Sequence, residues 1–387
     1  MAAAGGIVES TFPNYLNDTF HITAAERGRL EFPRELPGFL VVLTSGALAI
    51  FAVTRVGAIG ATLFCAGLLG LSQIPAHYGL MTLMLATLST GTHLIMPVDS
   101  TIAIALSDET NRGRRMGQVG LFATAGGLLG CAFVWMTFST VQRYSMGFLV
   151  ASIIGLGAIF FYGSLRIPHL HQRRRRLVFR KKYRLYYTLE LIFGARKQIF
   201  ITFGPWVLIE IYGLAPRSIA ALFLIAGVIG LAFKPLAGIA IDRFGERVIL
   251  TADGLAMVLV SLGYGYAQTI MGSPSSARLL AECCFIADAL LFALGAGRAV
   301  YLSRLVPNPQ ELNSSLAMGV SINHVVSMII PTLAGLVWVT FGYSRVFLAA
   351  AVLTLINAVF SSMVPGKGKL AKKAEPSVLP PEPIQAD

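Results

Sequence analysis

Charge is what this chain of 387 residues has least of. Only 13% of it is Asp, Glu, Lys or Arg, about half the share usual in a soluble domain, and that scarcity excludes a water-facing surface around most of the molecule. Acidic residues are the rarer sign, 19 against 31 basic. Cysteine is nearly absent: Cys65, Cys131, Cys283 and Cys284 fall in apolar stretches without metal-ligand spacing, which leaves small-residue packing as their role. Neither Gly-x-x-x-x-Gly-Lys-[Ser/Thr] nor His-Glu-x-x-His occurs, so ATP-driven pumping and metalloprotease chemistry have no basis. The nearest approach to an acid/base pair, His93 and Asp99, stands about 240° apart around a helix, which argues against a polytopic membrane enzyme. No basic segment precedes the first apolar stretch, and Glu9 interrupts it, which disfavours a secretory signal.

Apolar length is what the chain has. Hydrophobic residues make up 55% of it, mean hydropathy is +0.69, and the run from Ile219 to Ile241 is broken only by Lys234. A helix needs about 20 apolar residues to cross a hydrocarbon core. Apolar stretches and polar breaks predict spans at 37–54, 57–75, 79–106, 117–140, 145–163, 198–215, 218–241, 248–268, 280–302, 314–340 and 344–364. Ahead of these eleven lies MAAAGGIVESTFPNYL, read as the outer part of a twelfth span shortened at its N-terminus; an upstream start codon that supplied more apolar residues would restore an ordinary first span.

The formal charge of +12 raises the question of a nucleic-acid partner, and its placement answers it. Assigning loops alternately to two sides puts 22 Lys and Arg on one side, including eleven between Arg166 and Lys197, and seven on the other: Arg27, Arg29, Arg34, Arg143, Arg217, Arg278 and Arg345. The positive-inside rule makes the first side cytoplasmic, so the basic balance is topology and no nucleic acid is expected. The layout is then an N-terminal helical bundle (1–163), a basic cytoplasmic linker (164–197), a C-terminal bundle (198–364) and a disordered cytoplasmic tail (365–387), working as a monomer in the plasma membrane. Tyr183, Tyr186, Tyr187, Leu189, Ile192 and Phe193 interleave with basic residues in the linker, which predicts an amphipathic helix on an anionic inner leaflet.

The halves echo each other. TRVGAIG (54–60) follows the second span and DRFGERV (242–248) the eighth; Met116-Gly117 opens the fifth span and Met318-Gly319 the eleventh. This order points to a parallel internal duplication. The stretch Gly238-x-x-x-Asp242-Arg243-x-Gly245-x-Arg247 resembles the signature loop of the major facilitator superfamily, with Glu246 in place of the first of two terminal basic residues and Thr54 where the first-half copy should carry aspartate. The resemblance implies two six-helix bundles with pseudo-twofold symmetry, alternating access to a small solute, and a latch role for the signature loop. A Gly-rich fifth span of the drug-antiporter kind is only partly present: Gly117, Gly126 and Gly130 fit, but Cys131 stands at the expected proline.

Ionisable residues at membrane depth are functional candidates by default. Glu9, His93, Glu210, Asp288 and His324 fall within or near spans, and the resemblance places Glu9, His93, Glu210 and Asp288 on or near a central pathway. Their carboxylates suggest proton coupling. Asp99 and Arg298, near the inner ends of spans four and ten, form a candidate gate pair; Lys234 and Asp253 are expected in the signature-loop network. No cofactor and no metal is expected. The remaining alternative is a non-transporting sensor or receptor built on the same scaffold.

Overall fold

A computed structural model describes residues 1–48, 50–107, 112–138, 143–165, 167 and 179–366; most of the linker's basic run and nearly all of the 365–387 tail lie outside the described residues. Those described form helices and no strand. In hydrocarbon, every backbone N–H and C=O must be satisfied within its own segment, and a helix does this. The first half comprises α1 (Ala2–Phe20), α2 (Ala24–Arg29), α3 (Glu31–Leu48), α4 (Val53–Gln73), α5 (Tyr78–Ala105), α6 (Arg112–Thr137) and α7 (Tyr144–Ser164). The second comprises α8 (Arg184–Glu210), α9 (Pro216–Phe244), α10 (Glu246–Met271), α11 (Pro274–Leu291), α12 (Ala296–Leu305), α13 (Pro309–Phe341) and α14 (Tyr343–Ser362). The short helix α2 leads into α3, and a 3₁₀ turn, Phe292–Gly295, joins α11 to α12 as one bent segment, leaving six long segments in each half. We call the end that carries the Lys- and Arg-rich connections the basic end, and the opposite one the far end.

Small residues let the helices approach, as membrane packing requires in the absence of a hydrophobic drive between helices. A Cβ on Gly91 would meet the Gly60 carbonyl and Phe64 backbone of α4, and one on Gly130 would meet the Ala3 carbonyl and Ile7 amide of α1. Of the fifth-span glycines Gly117, Gly126 and Gly130, the last two are occupied in packing against α1, whereas a Cβ on Gly117 would meet nothing. Gly126 faces Ala2 half-way along α6, so α1, although 19 residues long, accompanies only the far half of its neighbour.

Nine segments among the described residues are long and apolar enough to cross a membrane, and α1, α3 and α8 are not among them. Several boundaries differ from expectation, and two of the differences bear on the site. The second span starts at Glu31 rather than 37, and the helix expected over 198–215 runs from Arg184 to Glu210. Accordingly, the linker aromatics do not lie on a lipid surface. Tyr183, Tyr186, Tyr187 and Leu189 are buried in one cluster with Tyr301, Leu302 and Val364, and Ile192 and Phe193 are buried too; the second half supplies a partner for their apolar faces, which removes the reason to seek lipid.

The halves are joined from the far end down to mid-depth. Asn14 donates to the Leu214 carbonyl at 2.7 Å, Gly28 abuts the Pro331 carbonyl, Gly335 abuts Ala24, and Gly227 abuts Leu128. Arg217 lies 5.6 Å from the Trp135 ring centre. At mid-depth, His324, at the middle of α13, bonds α3 of the other half.

Candidate functional site

At that depth four helices contribute ions. Glu35 of α3 lies 3.0 Å through Oε2 from His324 Nδ1 of α13, which ties one half to the other. His93 of α5 sits beside them, its ring 5.2 Å from that of His324 and edge-on to it. Gly38 makes the room: a Cβ there would strike both imidazoles. His93 Nδ1 is held by the Ser89 carbonyl at 2.9 Å and hydroxyl at 3.1 Å, and the same hydroxyl donates to the Arg34 carbonyl, so α3 and α5 fix each other's register. Lys197 of α8 and Arg34 of α3 are both within electrostatic reach of Glu35.

One turn farther out, Glu31 is fully buried between two arginines, 2.5 Å from Arg27 Nη1 and 3.0 Å from Arg34 Nη1. Its second oxygen accepts from Gln198 of α8 at 2.8 Å, a further bond between halves. Toward the basic end, Glu190 of α8 accepts from Arg298 Nε at 2.9 Å and from Asn323 at 2.6 Å. The Arg298 guanidinium stacks 3.3 Å above Phe193. Arg196 and Asp253, both 1% exposed, pair at 3.4 Å.

Glu9, Arg34, Lys197 and Asp288 keep solvent-accessible surface although protein encloses them. Such a combination marks the wall of a water-reachable hollow. Glu9 lies within electrostatic reach of Arg34, and Asp288, one turn before the helix break at Phe292–Gly295, within reach of Arg196 and Asp253. Broken helices at this depth commonly frame binding sites.

Of the residues singled out from sequence, the structure therefore brings His93 and His324 together and sets Glu9 and Asp288 on the wall. Glu210 is the last residue of α8, exposed at the far end and remote from the cluster. The Asp99–Arg298 pair is not formed: Asp99 accepts from the Tyr162 hydroxyl of α7 and Arg298 pairs with Glu190. Each finds a partner within its own half, which satisfies the charge without spanning the gap. In the signature loop, Gly245 has φ 84° and ψ 159°, a backbone region reserved for glycine, while Gly238, Asp242, Arg243 and Arg247 are exposed. The departing residue, Glu246, is the buried one, paired with Arg304 at 2.8 Å. Asp253 belongs with Arg196 rather than with this loop, and Lys234 lines a small cavity of about 160 Å³ between α9 and α11.

Sequence reasoning missed Glu31, Arg34, Glu35, Glu190, Arg196 and Lys197, all assigned to loops or linker. The Glu35, His93 and His324 donor atoms lie within 4.8 Å of one another, a set of the type that binds zinc with an open position. Arg34 and Lys197, both facing Glu35, oppose a divalent cation there, so the residues present fit poorly to a metal.

Two bundles of six, a glycine-only signature turn and ions gathered on a hollow between the bundles define a secondary carrier. The sequence profile of the Major Facilitator Superfamily matches residues 1–307 and 191–385, and the chain belongs to that family: it is a multi-pass membrane transporter of a small solute. No curated relative matches it. Among solved structures it is similar to a D-xylose-proton symporter (TM-score 0.76, 16% identity, covering 95% of this chain and 97% of that one) and to the nucleoside transporter NupG (0.74, 15%, 94% and 96%). It is also similar to the xylose transporter XylE from E. coli in an inward open conformation (0.74, 16%, 96% and 97%).

Proposed function

We propose that the chain couples movement of its solute to protons, with Glu9 and Asp288 as proton-exchanging groups on the hollow and the Glu35–His324 contact as the tie that each transport cycle must break and remake. The observation that carries this reading is that contact, 3.0 Å long, at mid-depth and between halves. A carboxylate and an imidazole attract only when their combined protonation is right, so a proton arriving from the hollow changes how firmly the halves hold. His93 stands where it can pass that proton on. Contacts between the halves at the far end and at mid-depth support a conformation that faces the basic end, which we assign to the cytoplasm from its Lys and Arg content. There the basic linker meets an anionic inner leaflet, and the signature loop, held by Glu246 and Arg304, latches the second half. One chain supplies the whole pathway, so the carrier acts as a monomer, and it is a carrier rather than an enzyme.

The test uses purified protein in liposomes with an imposed pH difference and a defined mixture of metabolites outside, read by mass spectrometry of the lumen. At least one solute accumulates with the gradient, and Glu9→Gln or Asp288→Asn removes the dependence on pH difference while passive exchange survives. If no solute accumulates above empty vesicles, the carrier reading is wrong; if accumulation ignores the gradient, proton coupling is.

A further inference from the structure

The titratable groups on the hollow are not evenly matched. Taken as local groups, Arg27 and Arg34 share Glu31, Arg298 has Glu190, and Arg196 has Asp253. Lys197 has none: among the described residues no carboxylate lies within 4.0 Å of its Nζ and it donates no hydrogen bond. Glu35 and Glu190 are within its electrostatic reach, but Glu35 is engaged by His324 and Glu190 by Arg298 and Asn323. Arg34, across the hollow on the other half, spends only Nη1 on Glu31 and leaves its remaining N–H groups unassigned, with 36% of its side chain exposed. Two cations from opposite halves thus share one hollow with donor capacity left over. A cation at this depth is expensive unless paired.

Among the described residues, the tryptophans and the amides of Gln198 and Asn323 are not placed to hold an uncharged sugar or nucleoside. Hydroxyl-rich rings are held by amides and by aromatic faces, and here the Gln198 N–H groups are committed to Glu31 and Thr202 and the Asn323 N–H group to Glu190, with the Asn323 carbonyl oxygen buried. Of the three tryptophans, Trp206 and Trp338 are buried in the apolar core and Trp135 lies near the far end against Arg217.

We infer that the solute is a small organic anion, a carboxylate, received by Lys197 from one half and Arg34 from the other. Resting on the carrier reading above, this names what that carrier moves. A bound carboxylate offers two oxygens, one to the Lys197 ammonium and one to the free edge of the Arg34 guanidinium, and so pulls the halves together at mid-depth. It competes with Glu35 for the same two cations. Binding therefore draws the two cations away from Glu35 and leaves its charge to His324, its present partner, or to a proton, which links occupancy of the site to the tie between halves. Among Arg27, Arg34, Arg196, Lys197 and Arg298, Lys197 alone has no carboxylate within 4.0 Å, and Glu9, within reach of Arg34, opposes a second negative charge; this favours monocarboxylates over dicarboxylates.

The test is uptake into the same liposomes of lactate, benzoate and succinate, with xylose and uridine as uncharged probes, under one pH difference. Lactate or benzoate accumulates at least tenfold above empty vesicles, succinate less, and xylose and uridine not at all. Lys197→Gln raises the half-saturating carboxylate concentration at least tenfold, and Lys197→Arg restores most of it, a rescue that a purely structural lysine would not show. Tryptophan fluorescence and a melting curve confirm that Lys197→Gln is folded; should it not be, Arg34→Lys, which keeps the charge but loses the fork, gives the same readout with a smaller shift. Accumulation of xylose or uridine in place of carboxylates overturns the anion assignment and leaves the carrier intact. Accumulation of no probe, with none from the metabolite mixture either, overturns both.

Discussion

Replacing Glu31 by glutamine should lower the melting temperature by several degrees although shape is conserved. Glu31 is fully buried and sits between Arg27, itself 4% exposed, and Arg34. Glutamine keeps the volume and a carbonyl oxygen but not the charge, so two enclosed guanidinium groups lose their counter-ion. Removing one partner of a buried pair costs about 3–5 kcal/mol. With an unfolding entropy of about 2.1 cal/mol/K per residue, a chain of this length has an entropy near 0.8 kcal/mol/K, and the cost becomes roughly 4–6 °C. The comparison is Glu282→Gln, which breaks the Arg278 contact of 2.8 Å at a site where the arginine is 46% exposed. A pair open to water is worth about 0.3–0.5 kcal/mol, or less than about 1 °C. Fluorescence-detected melting of the purified variants measures both. Adding Arg27→Met to Glu31→Gln removes one orphaned cation and should recover part of the loss, the non-additivity expected of groups in one network. If Glu31→Gln melts within about 1 °C of the parent, or if the double variant is worse by the sum of the singles, the charge argument is refuted.

Three further outcomes follow from single contacts. Gly28→Val places side-chain atoms on the Pro331 carbonyl and should wedge the far end open. In a background without the four native cysteines, Ala25→Cys, now 8% exposed, should then react at least tenfold faster with an impermeant maleimide. Gly245→Ala forces a side chain onto φ 84° and should cost about 1–3 kcal/mol, seen as a melting temperature lower by roughly 1–4 °C; an unchanged value would mean the turn relaxes. At the far end, Thr23 and Glu26 cap α2 reciprocally, and the Thr23 N–H and hydroxyl hold the Glu26 carboxyl below its usual 4.5. A depressed carboxylate stabilises above its unfolded value and loses that contribution as pH falls through the folded one. Thr23→Ala should thus cost about 1 kcal/mol at pH 7, and melting curves should show the gap to the parent closing below about pH 4.5.

The family and its architecture were legible because they rest on features that a sequence states directly. Gly245 is glycine since no other residue takes that backbone angle cheaply, and the run from α9 into α10 is apolar because lipid surrounds it. The gate pair was not. Asp99 and Arg298 lie at matching depths in equivalent helices, but a side chain's partner depends on which face each helix turns inward, and Tyr162 and Glu190 were the nearer choices.

The site itself escaped for a physical reason that also says something about how it works. A hydropathy window adds each charge as though it faced lipid alone, so Glu31, Arg34 and Glu35 shifted the second span inward to 37, and Arg196 and Lys197 were left in the linker. In the fold Glu31, Glu35 and Arg196 are paired across helices and Arg34 with Glu31 one turn away, Lys197 being the exception, and a paired, hydrogen-bonded ion no longer carries the full cost the window assigns to it. Segments that fail the apolar test yet sit inside the bundle must be paying for that failure with partners, and α1, α3 and α8 are those segments. Together they bring Glu9, Arg34, Glu35 and Lys197 to one hollow, and α3 and α8 lie on opposite sides of the boundary between halves. Because Glu35 and Glu31 reach His324 and Gln198 across the boundary between halves, any sliding of one half against the other changes which partners are in reach. Glu35 has His324 in the second half, and Glu31 has Gln198 there; neither can keep its bond if the bundles rock apart. The helices least able to enter a membrane alone are therefore those whose energy depends most on the conformational state, which is what a carrier driven by ions and solute requires.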